Sequence, residues 1–267
     1  MLDKRYGPAS AAARAGRQRF YRHVRPLLDT IVFNTRRPLF RDTRRRRAVS
    51  YALDRTALAK AYFDAPTGQI VPPAVPGYGV GSVYPIGGAD LRAARRLEGL
   101  EGRHAVLLAP CHPEVSSAAA IVRSDLARIG ITVSIVSSGT CDFREIAAQF
   151  KGADLMIDTN LQRFPPERDP APFLDDALAV GVWGAPLGPG PWNDRAFRKR
   201  LERARGLQGQ PRVAAYTSLD DELMRTAPLV VYGSFLYDEY FSPRVGCRLF
   251  QSFYLEVDLG ALCVRKR

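Results

Sequence analysis

An α/β fold is predicted for this chain of 267 residues. Two observations predict it. From His104 onward a short apolar run, Ala105–Leu108, is followed by an amphipathic helix and then by an alternating apolar run, Ile131–Val136. Strand, helix and strand at this spacing make a right-handed unit with parallel strands. Secondly, the stretch from Ile31 to Asp64 reads as strand, proline-containing loop, arginine-rich helix and a further capped helix. No run of about 18 apolar residues is present, so no membrane-spanning helix is predicted.

In chain order, residues 1–30 read as a polar loop and a helix, with Ala11–Arg22 helix-compatible and Pro26 ending it. Ile31-Val32-Phe33 is a short strand that breaks at Asn34-Thr35. Pro38 and Phe40 follow in a loop. Asp42 is a helix N-cap, because its carboxylate can accept from a free N–H of the first turn. Ala48, Tyr51 and Ala52 then share one helical face. Asp54 caps a second helix carrying Leu58, Ala61 and Tyr62. Five prolines between residues 65 and 88 make that segment a long irregular loop. Its Gly77-Tyr78-Gly79-Val80-Gly81 run imitates a phosphate-binding loop. It follows no strand and lacks the Gly-Lys-Ser/Thr ending, so these are read as loop glycines.

After the first strand of the α/β unit, Pro113 suits a first helical position. Val115, Ala119, Val122, Leu126 and Ile129 form one apolar stripe, and Gly130 ends the helix. Phe143–Phe150 is a helix and Ala153–Ile157 a strand. That strand ends at Asp158-Thr159-Asn160. A polar insertion with Gln162, Arg163, Glu167 and Arg168 follows, then Asp169-Pro170 and the helix-like APFLDDAL. Ligands in open α/β sheets sit at the carboxyl ends of strands, which makes this segment the candidate site. The plainer role of Asp169 is to cap the helix that starts after it. Asn193–Gly206 and Pro211–Thr226 are further helices, and Phe235 to Arg267 is a set of short strands and turns.

The composition, 46% hydrophobic and 25% charged, is that of an ordinary globular chain. The formal charge of +12 raises nucleic acid or anionic lipid as partners. The excess is mainly scattered arginine, however. Only Arg44–Arg47 forms a block, and four successive helical residues point in four directions. The N-terminus has no apolar signal-peptide core. Cys111 and Cys141 follow the two parallel strands, whose ends are neighbours, so a Cys111–Cys141 disulfide is expected, with Cys247–Cys263 as the second pair. Four buried thiols are the alternative. No Cys-x-x-Cys is present, and His23, His104 and His112 are not at metal-ligand spacings. Adjacent Cys111 and His112 point to opposite sides of an extended chain and do not form a nucleophile–base pair. With no catalytic motif present, no enzyme and no cofactor are predicted.

The Ile31–Asp64 stretch resembles the central motif of the family 5 extracellular solute-binding proteins, the capture subunits of peptide-type ABC importers. The matching residues are Phe33, Asn34, Pro38, Phe40, Asp42, Arg44, Arg46, Ala48, Val49, Ala52, Leu53, Asp54 and Arg55. Val71-Pro72-Pro73, Pro76-Gly77-Tyr78, the Asp90–Leu97 helix, the LARIGITVSIV segment and Ala227–Tyr232 continue the resemblance in order. It implies a periplasmic-binding-protein-like (type II) α/β fold with the second lobe complete and remnants of the first: residues 1–31 as first-lobe remnant and crossover, 32–232 as ligand-binding lobe, 233–267 as return. It also implies capture of a peptide or other small polar solute between lobes, docking on an ABC permease, and a periplasmic or extracellular location. Asn160, Arg163, Arg168, Asp169 and Trp183 are the expected ligand-facing residues, with Asp169 for an amine, arginines for carboxylates and Trp183 for stacking. The family often places a Trp at the strand end and an acid before Asp-Pro. Asn160 and a Pro-Pro-Glu-Arg segment stand there instead, so the ligand class stays open. The family's long N-terminal half and signal peptide have no counterpart, which suggests a C-terminal portion of a longer reading frame. The alternatives are a truncated remnant without transport activity, loose at residues 1–30 and 233–267, and a nucleic-acid binder using Arg44–Arg47.

Overall fold

Along each central strand, neighbouring residues enter different cores, which is the two-residue period of a strand buried on both faces. Ile31 and Phe33, Leu155 and Ile157, Val230 and Tyr232 enter one apolar cluster; Val32, Met156, Leu229 and Val231 enter the other. A computed structural model of the chain describes residues 7, 9–73, 75–79, 81–97, 99, 102–111, 115–161, 169–174, 195–251 and 256–265. They fall into two units, the smaller within Met1–Arg25 and Leu236–Arg267, the larger within Pro26–Arg163 and Arg168–Phe235.

The elements in order are α1 (Ala11–Arg14), β1 (Arg19–Phe33), α2 (Pro38–Arg41), α3 (Thr43–Ala52), α4 (Arg55–Tyr62), β2 (Ala65–Pro66) and α5 (Leu91–Arg95). Then come β3 (Arg103–Ala109), α6 (Val115–Ala127), β4 (Ile131–Ser137), α7 (Phe143–Phe150), β5 (Leu155–Leu161), α8 (Arg195–Arg205), α9 (Gly209–Met224) and β6 (Leu229–Phe241). Short strands β7 (Val245–Gly246), β8 (Phe250–Gln251), β9 (Glu256–Val257) and β10 (Cys263–Val264) follow. The main sheet has the order β2-β6-β1-β5-β3-β4. β3 is parallel to β4 and to β5, whereas β1 is antiparallel to β5. One core lies between this sheet and α3, α4 and α6, the other between the sheet and α7, α8 and α9. The larger unit is thus a three-layer sandwich.

The helix starts follow the local rules. The Asp42 carboxylate accepts from Arg44 N at the head of α3, and Asp54 accepts from Ala57 N at the head of α4. The predicted stripe of α6 is the buried one, with Val115, Ala119, Val122 and Leu126 all inside. Pro38 does not lie in a loop. It opens α2 at the first helical position, where its missing N–H costs nothing.

The helix predicted for Ala11–Arg22 is not formed. α1 ends at Arg14 and Gly16 turns with φ +66°. From Arg19 the chain is one fifteen-residue strand that passes straight through Pro26. The reason is a distant partner. β1 neighbours β6, and within the smaller unit Phe20 packs on Tyr240 and Tyr21 on Phe241, with ring centroids 5.4 and 6.2 Å apart. Arg22 adds an ion pair to Asp238 at 2.7 Å. Such cross-strand pairs outweigh a weak helical tendency. Pro26 is tolerated because it lies beyond the β5 partners of β1, which run from Leu28 to Phe33.

Candidate functional site

β5 carries Asp158, Thr159 and Asn160 and ends at Leu161, which pairs with Leu28 of β1. Asp169 stands further along the chain. Its carboxylate accepts from Ala171 N at 2.8 Å, capping the turn of helix at 171–174. It also receives Arg212 Nη2 on both oxygens, at 2.8 and 2.9 Å. Arg212, in the first turn of α9, is itself fixed. Its Nη1 donates to the carbonyls of Ala204 and Arg205 that close α8, and its guanidinium lies 5.0 Å from the Tyr216 ring centre. One arginine therefore ties the end of α8, the start of α9 and the Asp169 turn together. Asp169 and Arg212, with Pro76, Pro170, Gln210 and Val213, border an open recess of about 380 Å³.

The proline-rich loop, whose Pro76 lines this recess, is held by α9. Asp220, completely buried, accepts from Ile70 N at 3.2 Å and Val71 N at 2.9 Å. Gln69 Nε2 donates to Asp221, and Gln69 Oε1 accepts from Gly79 N, both at 2.9 Å. Thr217 Oγ1 donates to the Gly77 carbonyl at 2.7 Å. Conformation favours glycine at 77, and Gly79 lies close to Gln69 and Thr217. Gly77 has φ +106°, and a Cβ at Gly79 would stand 2.8 Å from Gln69 Nε2. Gly77 and Gly79 are accordingly packed against side chains of their own unit. Burial pushes the Asp220 carboxyl up to about 7, against the pull of the two N–H donors.

Of the sequence-predicted site residues, Asp169 alone has a described side chain. Asn160 is placed on β5. Arg163, Arg168 and Trp183 lie outside the described residues, as does His112. Arg212, Gln69, Thr217 and Asp220 were not predicted. Asp220 had a signal: it falls on the apolar stripe of α9 formed by Tyr216, Leu219 and Leu223, where a carboxylate needs partners. Arg212 had none among so many arginines. Among the described residues no group of His, Cys, Asp and Glu is arranged to hold a metal.

Cys111 is joined to Cys141 at the ends of β3 and β4, with Cα atoms 5.4 Å apart, and Cys247 to Cys263 with Cα atoms 5.3 Å apart. The second bond staples β7 to β10 inside the smaller unit. Thiol titration of denatured, unreduced protein is expected to find no free thiol, and four would overturn both bonds.

Within the arginine block, Arg46 is structural. Arg46 is completely buried. Its Nε donates to Ala227 O, Nη1 to Phe40 O and Arg41 O, and Nη2 to Thr43 Oγ1 and Thr226 O. It thereby takes up the end carbonyls of α2 and the turn at Ala227, where a buried alanine has φ +48°. Arg55, also completely buried, donates to Val231 O, Ser50 O and Pro85 O. Desolvation lowers both guanidinium pKa values to about 10, which leaves them charged at neutral pH. Asn34 donates to Phe150 O and Ala153 O, joining the end of β1 to the turn before β5.

The family profile described as bacterial extracellular solute-binding proteins, family 5 Middle, matches residues 6–167. No curated protein sequence matches the chain. Solved structures share its fold. The clavulanic acid biosynthesis oligopeptide binding protein 2 superposes with a TM-score of 0.76 at 20% identity, over 97% of this chain and 49% of its own. HbpA2 from Haemophilus parasuis gives 0.75 at 18%, over 95% and 51%. A dipeptide binding protein from Pseudoalteromonas, solved with Met-Leu, gives 0.69 at 20%, over 97% and 52%. The chain thus spans about half the length of the solved structures it matches. No described helix is long and apolar enough to cross a membrane.

Proposed function

The chain belongs to the bacterial extracellular solute-binding proteins of family 5, and on that premise we propose that it supplies one wall of a solute-capture site for an ABC importer. The observation that carries the proposal is the family match across residues 6–167, which runs through β5 to the polar insertion. The ligand is a peptide or other small polar molecule, taken up between two lobes and delivered to a membrane permease. Asn160, Arg163 and Arg168 face the ligand, arginines meeting carboxylates. Trp183 stacks on it. Asp169 meets a ligand amine from its place in the pair with Arg212, which keeps the carboxylate oriented. Closure would be a hinge motion in which the ligand favours the closed state.

The test is calorimetric titration of the purified chain with di- to pentapeptides and free amino acids. One wall supplies only part of the contact, so dissociation constants of about 0.1–1 mM are expected, roughly −4 to −5.5 kcal/mol. Arg163→Ala and Asp169→Asn are each expected to weaken the best ligand about tenfold, the worth of one charge-assisted hydrogen bond. If no peptide gives heat, solute capture by this chain on its own is withdrawn.

A further inference from the structure

We propose that a second recess, at the opposite end of α9 from Asp169, binds a small oxyanion: phosphate, or the carboxylate of a small organic acid. The recess measures about 350 Å³ and is lined by Arg47 and Tyr51 of α3, Ser82 of the proline-rich loop, Asp221 in the last turn of α9 and Arg225 at its C-cap. Arg47 and Tyr51 are four residues apart on one helix and so present the same face. Arg225 lies thirteen positions after Arg212, about 20 Å along α9 at the helical rise of 1.5 Å per residue. The recess is therefore distinct from the solute site proposed above.

Its charge is unbalanced. Two guanidinium groups face one carboxylate, and Asp221 already accepts from Gln69 Nε2 at 2.9 Å. Neither Arg47 nor Arg225 has a carboxylate within ion-pair distance among the described residues. Other arginines of this protein do: Arg37 on Asp154, Arg200 on Glu222, Arg212 on Asp169 and Arg248 on Glu239 all lie at 2.6–2.9 Å. Beneath the recess, Tyr84 donates to the Arg225 carbonyl at 3.4 Å. Burial pushes that phenol up to about 12, so it stays neutral and supplies no counter-charge.

An oxyanion suits the two cations: it is acceptor-only or acceptor-rich, it takes two guanidinium forks, and it accepts from a hydroxyl such as that of Tyr51. The C-terminus of α9 opposes an anion with roughly half an elementary charge, which the two full cations outweigh. The recess has room for a phosphate or for a short dicarboxylate, whereas an extended peptide would not fit inside it.

The experiment is calorimetric titration of the whole chain with inorganic phosphate and, separately, with succinate, at constant ionic strength and pH 7. Saturable binding with a dissociation constant of about 1 mM or tighter is expected for at least one of them, and which one responds identifies the source of the oxyanion. Arg225→Ala and Arg47→Gln are each expected to weaken it tenfold or more. Arg225 is exposed, so its variant remains informative if Arg47→Gln fails to fold. Absence of heat with both anions, or unchanged affinity in Arg225→Ala, would overturn the proposal and leave an adventitious ion only.

Discussion

Arg46→Ala is expected to lower the stability of the larger unit by about 3–5 kcal/mol, while Arg44→Ala, two residues away, stays within about 0.5 kcal/mol of the parent. The contrast follows from burial alone. Arg44 is exposed at the head of α3. Arg46, itself buried, is the donor for four backbone carbonyls and a threonine hydroxyl, and its bonds to Phe40 O and Ala227 O are buried. Truncation removes all five bonds together and leaves buried acceptors orphaned, each at a cost of about 1–3 kcal/mol before relaxation. Arg46→Lys should recover only part of the loss, since one ammonium cannot reach the ends of α2 and the Ala227 turn together. Urea unfolding followed by circular dichroism measures this. A midpoint for Arg46→Ala within 1 kcal/mol of the parent would mean that the carbonyls find other donors.

Stability is expected to fall as pH rises from 5.5 to 8.5, by about 2 kcal/mol, which at roughly 2–4 °C per kcal/mol is a drop of about 4–8 °C in Tm. Two buried carboxyls set the sign. Asp220 is held at about 7 by burial. Asp64 is pushed well above the carboxylate range by burial, with the neighbouring Asp29 carboxyl adding to the shift. Space for that pair comes from Gly233, where a Cβ would overlap the Asp64 carboxyl. Both groups bind a proton in the folded state at pH values where the unfolded chain, near 3.9, has released it. Their contribution is therefore complete below about pH 4 and is lost as pH climbs through the folded values. Asp258, on the surface, shifts the other way through Gln251 and two backbone N–H groups, and its effect is confined to acid. Asp64→Asn should flatten the alkaline part of the curve and raise Tm at pH 8.5. A Tm that rises between pH 5.5 and 8.5 would show that the buried carboxyls are ionised in the fold.

What was legible in the sequence is what depends on neighbours a few residues away. The caps at Asp42 and Asp54 act within one helical turn. The apolar stripe of α6 and the alternation in β4 are local periodicities. The parallel pairing of β3 with β4 then follows from chain connectivity and handedness. The family, too, was legible, because its motif is an ordered string of such local signals. The roles of the motif arginines were not. The pattern marks Arg46 and Arg55 as present, but their acceptors, Ala227 O and Val231 O, lie on the far side of the sequence. The same holds for the candidate site. Asp169 was singled out as a ligand residue or a cap, yet the partner that orients it, Arg212, sits one helix further on.

By itself, then, the amino-acid order determined the α/β class, most helix starts and the family. Only the tertiary structure decided that residues 19–33 are a single strand, that two arginines and Asp220 are interior, and that Asp169 is bound to Arg212. The physical reason is the same in each case: a buried charge or a strand edge is satisfied by whatever the fold brings to it, and a one-dimensional pattern carries the need but not the partner.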